Sequence, residues 1–130
     1  MVLNDVLANA MSNILNNEKK GKDSCIIRPS AKLTKKVLEI MKDHMYVGNF
    51  EEVKDGKGNV LKLNLLGNIN KCGVIKPRHA VKINNFEKFE KRFLPAKDFG
   101  IIIVSTTKGL MTHIEAKEKG FGGKLLAYIY

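Results

Sequence analysis

The spacing of apolar positions predicts that helices and strands alternate from the start of the chain. An apolar stripe at intervals of three and four residues runs from Leu3 to Leu15 and predicts a first helix. After a polar stretch over 16–23, Ser24–Arg28 has the composition of a short buried strand. Pro29 ends that strand, and Ser30 can cap a second helix. The predicted core face of this second helix consists of Leu33, Val37, Ile40, Met41, His44 and Met45.

Two further strands, Phe50–Lys54 and Val60–Leu65, flank a glycine-containing hairpin signal at Asp55–Asn59. In the second of them, leucines alternate with polar residues, as is typical of a half-buried strand. Gly67–Asn68 is the best candidate for a domain boundary. Residues 1–68 are therefore predicted to form an N-terminal lobe with the order α-β-α-β-β.

The remaining residues, 69–130, are predicted to form a C-terminal lobe that is mainly β with short helices. Its predicted elements are strands at Cys72–Ile75, Ala80–Ile83, Phe99–Val104 and Lys124–Tyr130, a phenylalanine-bearing helix after Asn85 that Pro95 closes, and a helix at Leu110–Lys119. No repeat, heptad or low-complexity tract interrupts this pattern. The predicted fold class is α+β in two small lobes.

Charge adds a first indication of the partner. Lys and Arg number 23 against 13 Asp and Glu, a formal net charge of +10 with a pI near 9.7. The excess is uneven, because residues 71–130 hold 12 basic and 5 acidic side chains, against 11 and 8 in residues 1–70. Such a balance favours a polyanionic partner, although a solvated soluble surface would also produce it.

The composition also indicates a compartment. Hydrophobic residues make up 44% of the chain, which is ordinary for a globular protein. No apolar run approaches the roughly 20 residues that a membrane-spanning helix needs, and no signal peptide is visible. Cys25 and Cys72 lie far apart, outside any Cys-x-x-Cys pair, which favours buried reduced thiols and a cytoplasmic location.

One segment carries most of the functional information. The apolar strand over 100–104 leads into Ser105, Thr106, Thr107, Lys108 and Gly109, and a helix is predicted to begin directly afterwards. Unpaired N–H groups and partial positive charge at a helix N-terminus attract phosphate. A helix cap would explain one hydroxyl but not three, and hydroxyls also contact RNA base edges and 2′-hydroxyls. This loop is therefore a predicted polyanion contact.

A second cluster reads Gly120-Phe121-Gly122-Gly123-Lys124. Gly120 is the natural residue to end the preceding helix. Gly122 and Gly123 exceed that need, and glycines there would permit positive φ or a close approach of foreign backbone. As a nucleotide-binding motif the spacing fits neither a Walker loop nor a dinucleotide fingerprint.

Together these motifs resemble the family of small-subunit ribosomal protein eight. The resemblance is carried by Val104–Thr112, by Ala116 and by Gly122–Lys124. It extends over the chain, since Asn4–Ala8 is similar to the family's opening helix and Arg28–Leu33 to the motif before its second helix. Pro77–His79 falls where the family has a basic, proline-containing link.

The resemblance implies a two-lobed protein that binds an irregular helix in the central domain of small-subunit ribosomal RNA and helps to assemble the subunit beside neighbouring ribosomal proteins. It implies no cofactor and a free chain that is monomeric. RNA contacts are carried onto two sets of residues. The stronger set is Ser105, Thr106, Thr107, Lys108, Gly109, Gly122, Gly123 and Lys124, and the weaker set, as phosphate contacts, is Arg28, Lys32 and Lys71.

Some positions depart from the bacterial members of that family. His113 stands where they usually have aspartate, Lys124 where they have glutamate, and Asn84 in the place of an RNA-facing tyrosine. The helix over Phe86–Phe93 is also longer. These features resemble the archaeal and eukaryotic branch, and they leave the role of Lys124 open.

The sequence also bears on two other function classes. An enzyme is not indicated, because Ser105 lacks a nucleophile-elbow context and the histidines His44, His79 and His113 share no zinc-ligand spacing with the cysteines. His44 reads as a residue at the edge of the core, whereas His79 and His113 could meet RNA or lie on the surface. A regulatory protein that represses translation of its own messenger RNA is the alternative function, since one RNA-binding surface would serve both roles.

Overall fold

The computed structural model describes residues 6–27, 32–54, 59–75, 80–82, 85–96 and 99–130. The chain divides into two compact units, Met1–Ile69 and Asn70–Tyr130. Four helices and two antiparallel sheets occur in the described residues, which confirms the predicted α+β class. Predicted sites at Arg28, His79 and Asn84, and the hairpin turn over 55–58, lie outside the described residues.

The first unit has the predicted order of elements. They are α1 (Val6–Lys19), β1 (Ser24–Ile27), α2 (Lys32–Asp43), β2 (Val47–Val53) and β3 (Val60–Leu65). The three strands form an antiparallel sheet in the order β1-β3-β2. Helix α1 packs against β1 and α2, and α2 packs against β2. The sheet thus has its third strand in the centre, where the predicted leucine alternation places Leu61, Leu63 and Leu65 in the core.

Helix α1 continues through the first residues that the sequence assigned to a polar linker. The Asn17 side-chain amide donates to the Asn13 carbonyl at 2.8 Å, one turn earlier in the helix. Asn17 and Glu18 are half-buried, so these polar residues are part of the helix rather than of a linker. The apolar stripe is confirmed, with Leu7, Ala10, Met11 and Ile14 buried.

The predicted core face of α2 was wrong at its end. The helix stops at Asp43, and both His44 and Met45 are exposed, Met45 by 66%. Met45 has a φ of 64°, a left-handed conformation that ends the helix. Its carbonyl accepts a hydrogen bond of 2.7 Å from the Asn68 amide. The residues that α2 buries are Thr34, Val37, Leu38 and Met41.

Strand β2 begins earlier than predicted and both cysteines are buried. A register shift between Val47 and Phe50 bends β2. The shift interrupts the alternation of apolar and polar residues by which the sequence would indicate the start of the strand. Cys25 is 5% exposed and Cys72 3% exposed, as the sequence predicts. Burial, with the carboxylate of Glu18 as a smaller cause, raises the pKa of the Cys25 thiol to about 11. This thiol is therefore a small apolar side chain at neutral pH.

The second unit is mainly β with short helices, as predicted. Its elements are β4 (Cys72–Val74), β5 (Ala80–Val81), α3 (Phe86–Phe93), β6 (Ile101–Thr106), β7 (Gly109–Thr112), α4 (His113–Lys119) and β8 (Gly123–Ile129). The antiparallel sheet has the order β4-β8-β6-β7, and β5 also pairs with β8. Strand β8 is therefore central, with β6 on one side and both β4 and β5 on the other.

One face of this sheet is covered by α3. Phe86 and Phe89 are buried against Val104, Leu125 and neighbouring apolar side chains. Complete burial of a phenylalanine contributes roughly 1.5–3 kcal/mol to stability. This gain is larger than the free energy that phenylalanine's low helix propensity costs in this eight-residue helix. The predicted side-chain cap is wrong, since Asn85 makes no capping hydrogen bond within the described residues. Packing of the phenylalanines, rather than the cap, holds α3 in place.

Candidate nucleic-acid interface

Ser105–Gly109 forms the end of a β-hairpin rather than a strand-to-helix loop. Strands β6 and β7 pair with Thr106 opposite Gly109, which leaves Thr107 and Lys108 as the two residues of the turn. The predicted helix over Leu110–Lys119 was therefore wrong in its first three residues, which belong to β7. Pairing with β6 satisfies their backbone groups and overrides the helical spacing of the apolar residues.

The turn is held by the side chain of Thr106. Its Oγ1 accepts a hydrogen bond of 3.1 Å from the Lys108 N–H and donates one of 2.8 Å to the Gly109 carbonyl. Gly109 has a φ of 114°, which other residues rarely adopt. Thr106 and Gly109 thus have structural reasons to be present, and Thr107 and Lys108 are the exposed tip.

The phosphate-binding argument from a helix N-terminus does not apply to this loop. Helix α4 begins at His113, and its cap is Thr112, whose Oγ1 accepts a hydrogen bond of 3.3 Å from the Glu115 N–H. Thr112 is 1% exposed and His113 0% exposed, so this N-terminus lies inside the unit. Any attraction of the hairpin for phosphate must come from its own lysine, hydroxyls and backbone.

The paired glycines are required by this chain's own backbone. A Cβ at Gly123 would lie 2.2 Å from the Ser105 carbonyl oxygen, and one at Gly122 would lie 2.6 Å from that of Val81. Neither glycine has a positive φ. The predicted close approach is therefore present, but the approaching backbone is that of β5 and β6. Gly120, in contrast, ends α4 in the left-handed conformation as predicted, with a φ of 76°.

Strand pairing brings the two sequence clusters together. Lys124 lies opposite Ser105 on β6 and opposite Ala80 on β5, so Ser105 and Lys124 project from the same side of the sheet. We call Ser105–Gly109 together with Gly122–Lys124 the hairpin surface. Within it, Thr107, Lys108, Gly109 and Lys124 are exposed, and the other members are half-buried.

The hairpin surface is cationic and lacks acidic neighbours in sequence. No Asp or Glu occurs in 99–112 or in 120–130. Within the described part of the chain, neither Lys108 nor Lys124 forms an ion pair with a carboxylate. Two ammonium groups, the Thr107 hydroxyl and the Ser105 hydroxyl are thus available to a ligand on one end of the sheet.

The weaker predicted contacts do not join this cluster. Lys71 is exposed, but it pairs with Tyr130 through two backbone hydrogen bonds of 2.9 Å, at the opposite end of β8 from Lys124. Lys32 is exposed at the first residue of α2, in the other unit.

His113 is buried, so the expectation that it meets RNA or lies on the surface was wrong. Its Nδ1 accepts a hydrogen bond of 3.0 Å from the Ile102 N–H, which requires Nδ1 to be unprotonated. The ring is therefore the neutral tautomer with its proton on Nε2, and Nε2 lies 3.2 Å from Glu90 Oε1. Glu90, on α3, is itself 6% exposed.

Lys117 joins His113 and Glu90 from the edge of this polar group. One turn after His113 on α4, its Nζ contacts the same Glu90 oxygen, and its side chain is 34% exposed. We call His113, Glu90, Lys117 and the Ile102 N–H the histidine network. It joins α3, α4 and β6. The sequence signal is the four-residue spacing of His113 and Lys117 together with Glu90, one of two acidic residues in α3, but this signal does not indicate which helix faces meet.

Comparison with known protein families shows which family the chain belongs to. The family model described as ribosomal protein S8 matches residues 5–130. The chain belongs to the ribosomal protein S8 family. Members are structural proteins rather than enzymes. As an S8 protein, the chain is a component of the small ribosomal subunit that binds ribosomal RNA, contacts neighbouring ribosomal proteins and acts in translation.

Over the ranges given above, no helix is both long and apolar enough to cross a bilayer. The same residues contain no group of three or more His, Cys, Asp or Glu side chains placed to hold a metal ion.

Proposed function

We propose that the hairpin surface is the contact by which this chain binds an irregular helix in the central domain of small-subunit ribosomal RNA and thereby helps to assemble the subunit in the cytoplasm. The observation that carries the proposal is the pairing of Ser105 with Lys124, which unites two sequence-distant clusters on one cationic end of the sheet. In this proposal the C-terminal lobe, residues 69–130, is the RNA-binding domain of a chain that is monomeric when free.

The chemistry of the surface suits a structured RNA helix. Lys108 and Lys124 supply charge for phosphates without a competing carboxylate among the described residues. The Ser105 and Thr107 hydroxyls can donate to and accept from 2′-hydroxyls and base edges, which an irregular helix exposes in its shallow groove and internal loop. Gly109 is exposed and a Cβ there would meet nothing within 4 Å, so the backbone at the end of the hairpin is open to the ligand.

The positive charge of Lys124 suits a contact with an RNA phosphate. An ammonium group next to Ser105 favours a phosphate over a base amino group, which a carboxylate at the same position would prefer. Lys124 lies between β5 and β6, whose backbones pair with it on both sides. Its side chain is exposed and is therefore the part of the residue that can reach a ligand. We therefore propose Lys124 as a phosphate contact rather than a base-reading residue.

Footprinting of the full chain on small-subunit ribosomal RNA tests partner and site together. We expect protection of one irregular helix in the central domain. The double variant Lys108→Ala with Lys124→Ala should lose that protection at protein concentrations where the wild type gives it fully. The matched control is Lys36→Ala with Lys42→Ala, which removes two exposed lysines of α2. Protection elsewhere, or equal loss with the control, would contradict the proposal.

Repression of the chain's own messenger RNA would use the same surface and is separated by competition. A leader transcript of that messenger is titrated against the ribosomal RNA helix bound to the chain. If the transcript displaces the helix and the hairpin double variant loses both ligands, the protein has both roles. If no concentration of transcript competes, only the ribosomal role stands.

A further inference from the structure

Four aromatic rings form a continuous row at the end of β8 that lies away from the hairpin surface. The ring centroids of Phe93 and Tyr128 are 5.6 Å apart, those of Tyr128 and Tyr130 6.3 Å, and those of Tyr130 and Phe99 6.4 Å. Phe99 is 50% exposed, and the other three rings are half-buried. We call Phe93, Tyr128, Tyr130 and Phe99 the aromatic ladder.

Two glycines make room for these rings. Gly73 lies opposite Tyr128 in the sheet, and a Cβ there would lie 3.1 Å from the Tyr128 hydroxyl oxygen. Gly100 has a φ of 95°, and a Cβ there would lie 2.7 Å from the Cβ of Tyr130. The backbone is thus shaped around both tyrosines, so the ladder is a fixed feature of the sheet rather than a set of loose surface side chains.

Two cations lie beside the ladder. The guanidinium carbon of Arg92 lies 5.5 Å from the centroid of Phe93, the first ring of the row. Lys71 is exposed and is the direct backbone partner of Tyr130, the third ring, so the side chains of Lys71 and Tyr130 share one side of the sheet. Lys88, on the same helix as Arg92, lies 5.9 Å from the centroid of Phe89.

We propose that the aromatic ladder is a second RNA contact, which stacks unpaired nucleotides of the ribosomal RNA on Phe99 and Tyr130 while Lys71 and Arg92 hold their phosphates. Exposed rings beside cations are the arrangement that single-stranded RNA requires, because every base offers a flat face and every linkage a negative charge. An apolar protein partner would use the rings but would gain nothing from the two cations beside them.

The two surfaces of the second unit therefore suit different forms of RNA. The hairpin surface offers hydroxyls and ammonium groups without an aromatic ring, which fits the groove of a structured helix. The ladder offers rings, which fit bases that are already unstacked. This inference rests on the proposed function only in taking RNA as the partner, and either surface can fail its test without the other.

Photo-crosslinking of the full chain tests the ladder directly. The probe is a single-stranded decauridylate in which 4-thiouridine replaces uridine, activated by near-ultraviolet light. Cleavage after Lys124 releases the peptide 125–130, which contains Tyr128 and Tyr130 and no residue of the hairpin surface. We expect nucleotide adducts on this peptide. Adducts confined to peptides of the hairpin surface would overturn the proposal, even if the footprint of the structured helix is intact.

Affinity measurements with paired variants supply the second arm. Phe99→Leu keeps an apolar side chain but removes the ring, and Phe50→Leu is its control in the other unit. Arg92→Gln removes the cation, and Lys119→Gln is its control on α4. Loss of one stacked base should weaken decauridylate binding at least about fivefold. Because Arg92 is exposed, its variant keeps the test valid if Phe99→Leu unfolds.

Two further outcomes are decisive, one from these affinity measurements and one from protection of the assembled subunit. Ladder variants that bind the probe like their controls would overturn the proposal. So would protection of the 125–130 peptide in assembled subunits by a neighbouring protein instead of RNA. Weaker decauridylate binding together with an unchanged footprint on the structured helix is the result expected if the ladder and the hairpin surface act separately.

Discussion

The hairpin surface and the histidine network are both polar clusters, and they are formed largely by the same stretch of chain. Between residues 105 and 124, Ser105, Lys108 and Lys124 contribute to the surface, and His113 and Lys117 contribute to the network. The lysines of the first group are exposed, whereas His113 is buried and both members of the second group contact the buried Glu90. Polar residues of similar type are thus open to an external partner in one place and stabilise the fold in the other.

What separates the two clusters is burial, because burial decides what happens when a partner is removed. A polar group left unpaired inside a protein costs the full loss of its hydration, whereas an exposed one returns to water. Loss of a network residue should therefore lower stability and leave the RNA affinity of the folded protein unchanged. Loss of an exposed residue of the hairpin surface should do the reverse.

The largest effect is expected from His113→Ala. This change opens a cavity and leaves the Ile102 N–H and part of the Glu90 carboxylate without their partner, so unfolding should become easier by about 3–5 kcal/mol. Urea denaturation measures the change, with His44→Ala, an exposed histidine, as the control. A loss below about 1 kcal/mol would show that the network is not structurally important.

Gly123→Ala should affect both properties, because this residue lies where the hairpin surface meets the packed sheet. The added Cβ would contact the Ser105 carbonyl, so β8 and β6 must separate, at a cost of about 1–3 kcal/mol. RNA affinity should fall as well, since Ser105 and Lys124 would no longer keep their relative positions. The control is Ala80→Ser, at an exposed site of β5. Gly21→Ala is not suitable as a control, because Gly21 has a positive φ. Unchanged melting of Gly123→Ala would contradict the close approach.

Thr106→Ala and Thr107→Ala form a pair that sharpens the contrast within the turn. Removal of the Thr106 hydroxyl breaks two hydrogen bonds and should cost roughly 0.5–1.5 kcal/mol of stability, together with specific RNA affinity. Thr107→Ala should lower only the affinity. Thermal melting and titration with specific and random RNA separate these outcomes, and Thr106→Ser should restore the turn. Equal loss on both RNAs would show that the hydroxyls add no specificity.

Lys124→Gln is expected to have the smallest effect on the fold, within about 0.5 kcal/mol. The slope of log affinity against log salt should decrease by roughly one unit or less, as expected for one phosphate contact. Lys36→Gln serves as the control, because it removes an exposed lysine of α2. A slope identical to that of the wild type would exclude Lys124 as a phosphate contact.

The sequence predicted the fold well wherever one face of an element is apolar. The stripe of α1 and the leucine alternation of β3 follow directly from contact with a single core. It failed at Leu110–Thr112, because these residues have helical spacing but find strand partners in β6. It also failed at Met45, where the apolar side chain follows the end of the helix and turns outward.

The residues of the candidate site could be named from the sequence, but the strand pairing that brings them together could not. The hydroxyl-rich turn and the Gly-Gly-Lys cluster are both visible in the sequence, yet their meeting depends on the register of β8 against β6. The expectation for His113 was wrong because the sequence Thr112-His113 fits two situations equally well. The histidine can be exposed at the start of a helix, or it can be buried and accept a hydrogen bond. Only the position of α3, which brings Glu90 to it, decides between these states.

The central position of β8 has a consequence for how the protein is made. Strands β4, β5 and β6 have no pairing with one another in the described sheet, and each of them pairs with β8, which follows all of them in the chain. During synthesis the second unit must therefore wait for β8 before its sheet can close, whereas the strands of the first unit have all emerged by Leu65. Translation thus favours completion of the first unit while the second unit is still unfinished.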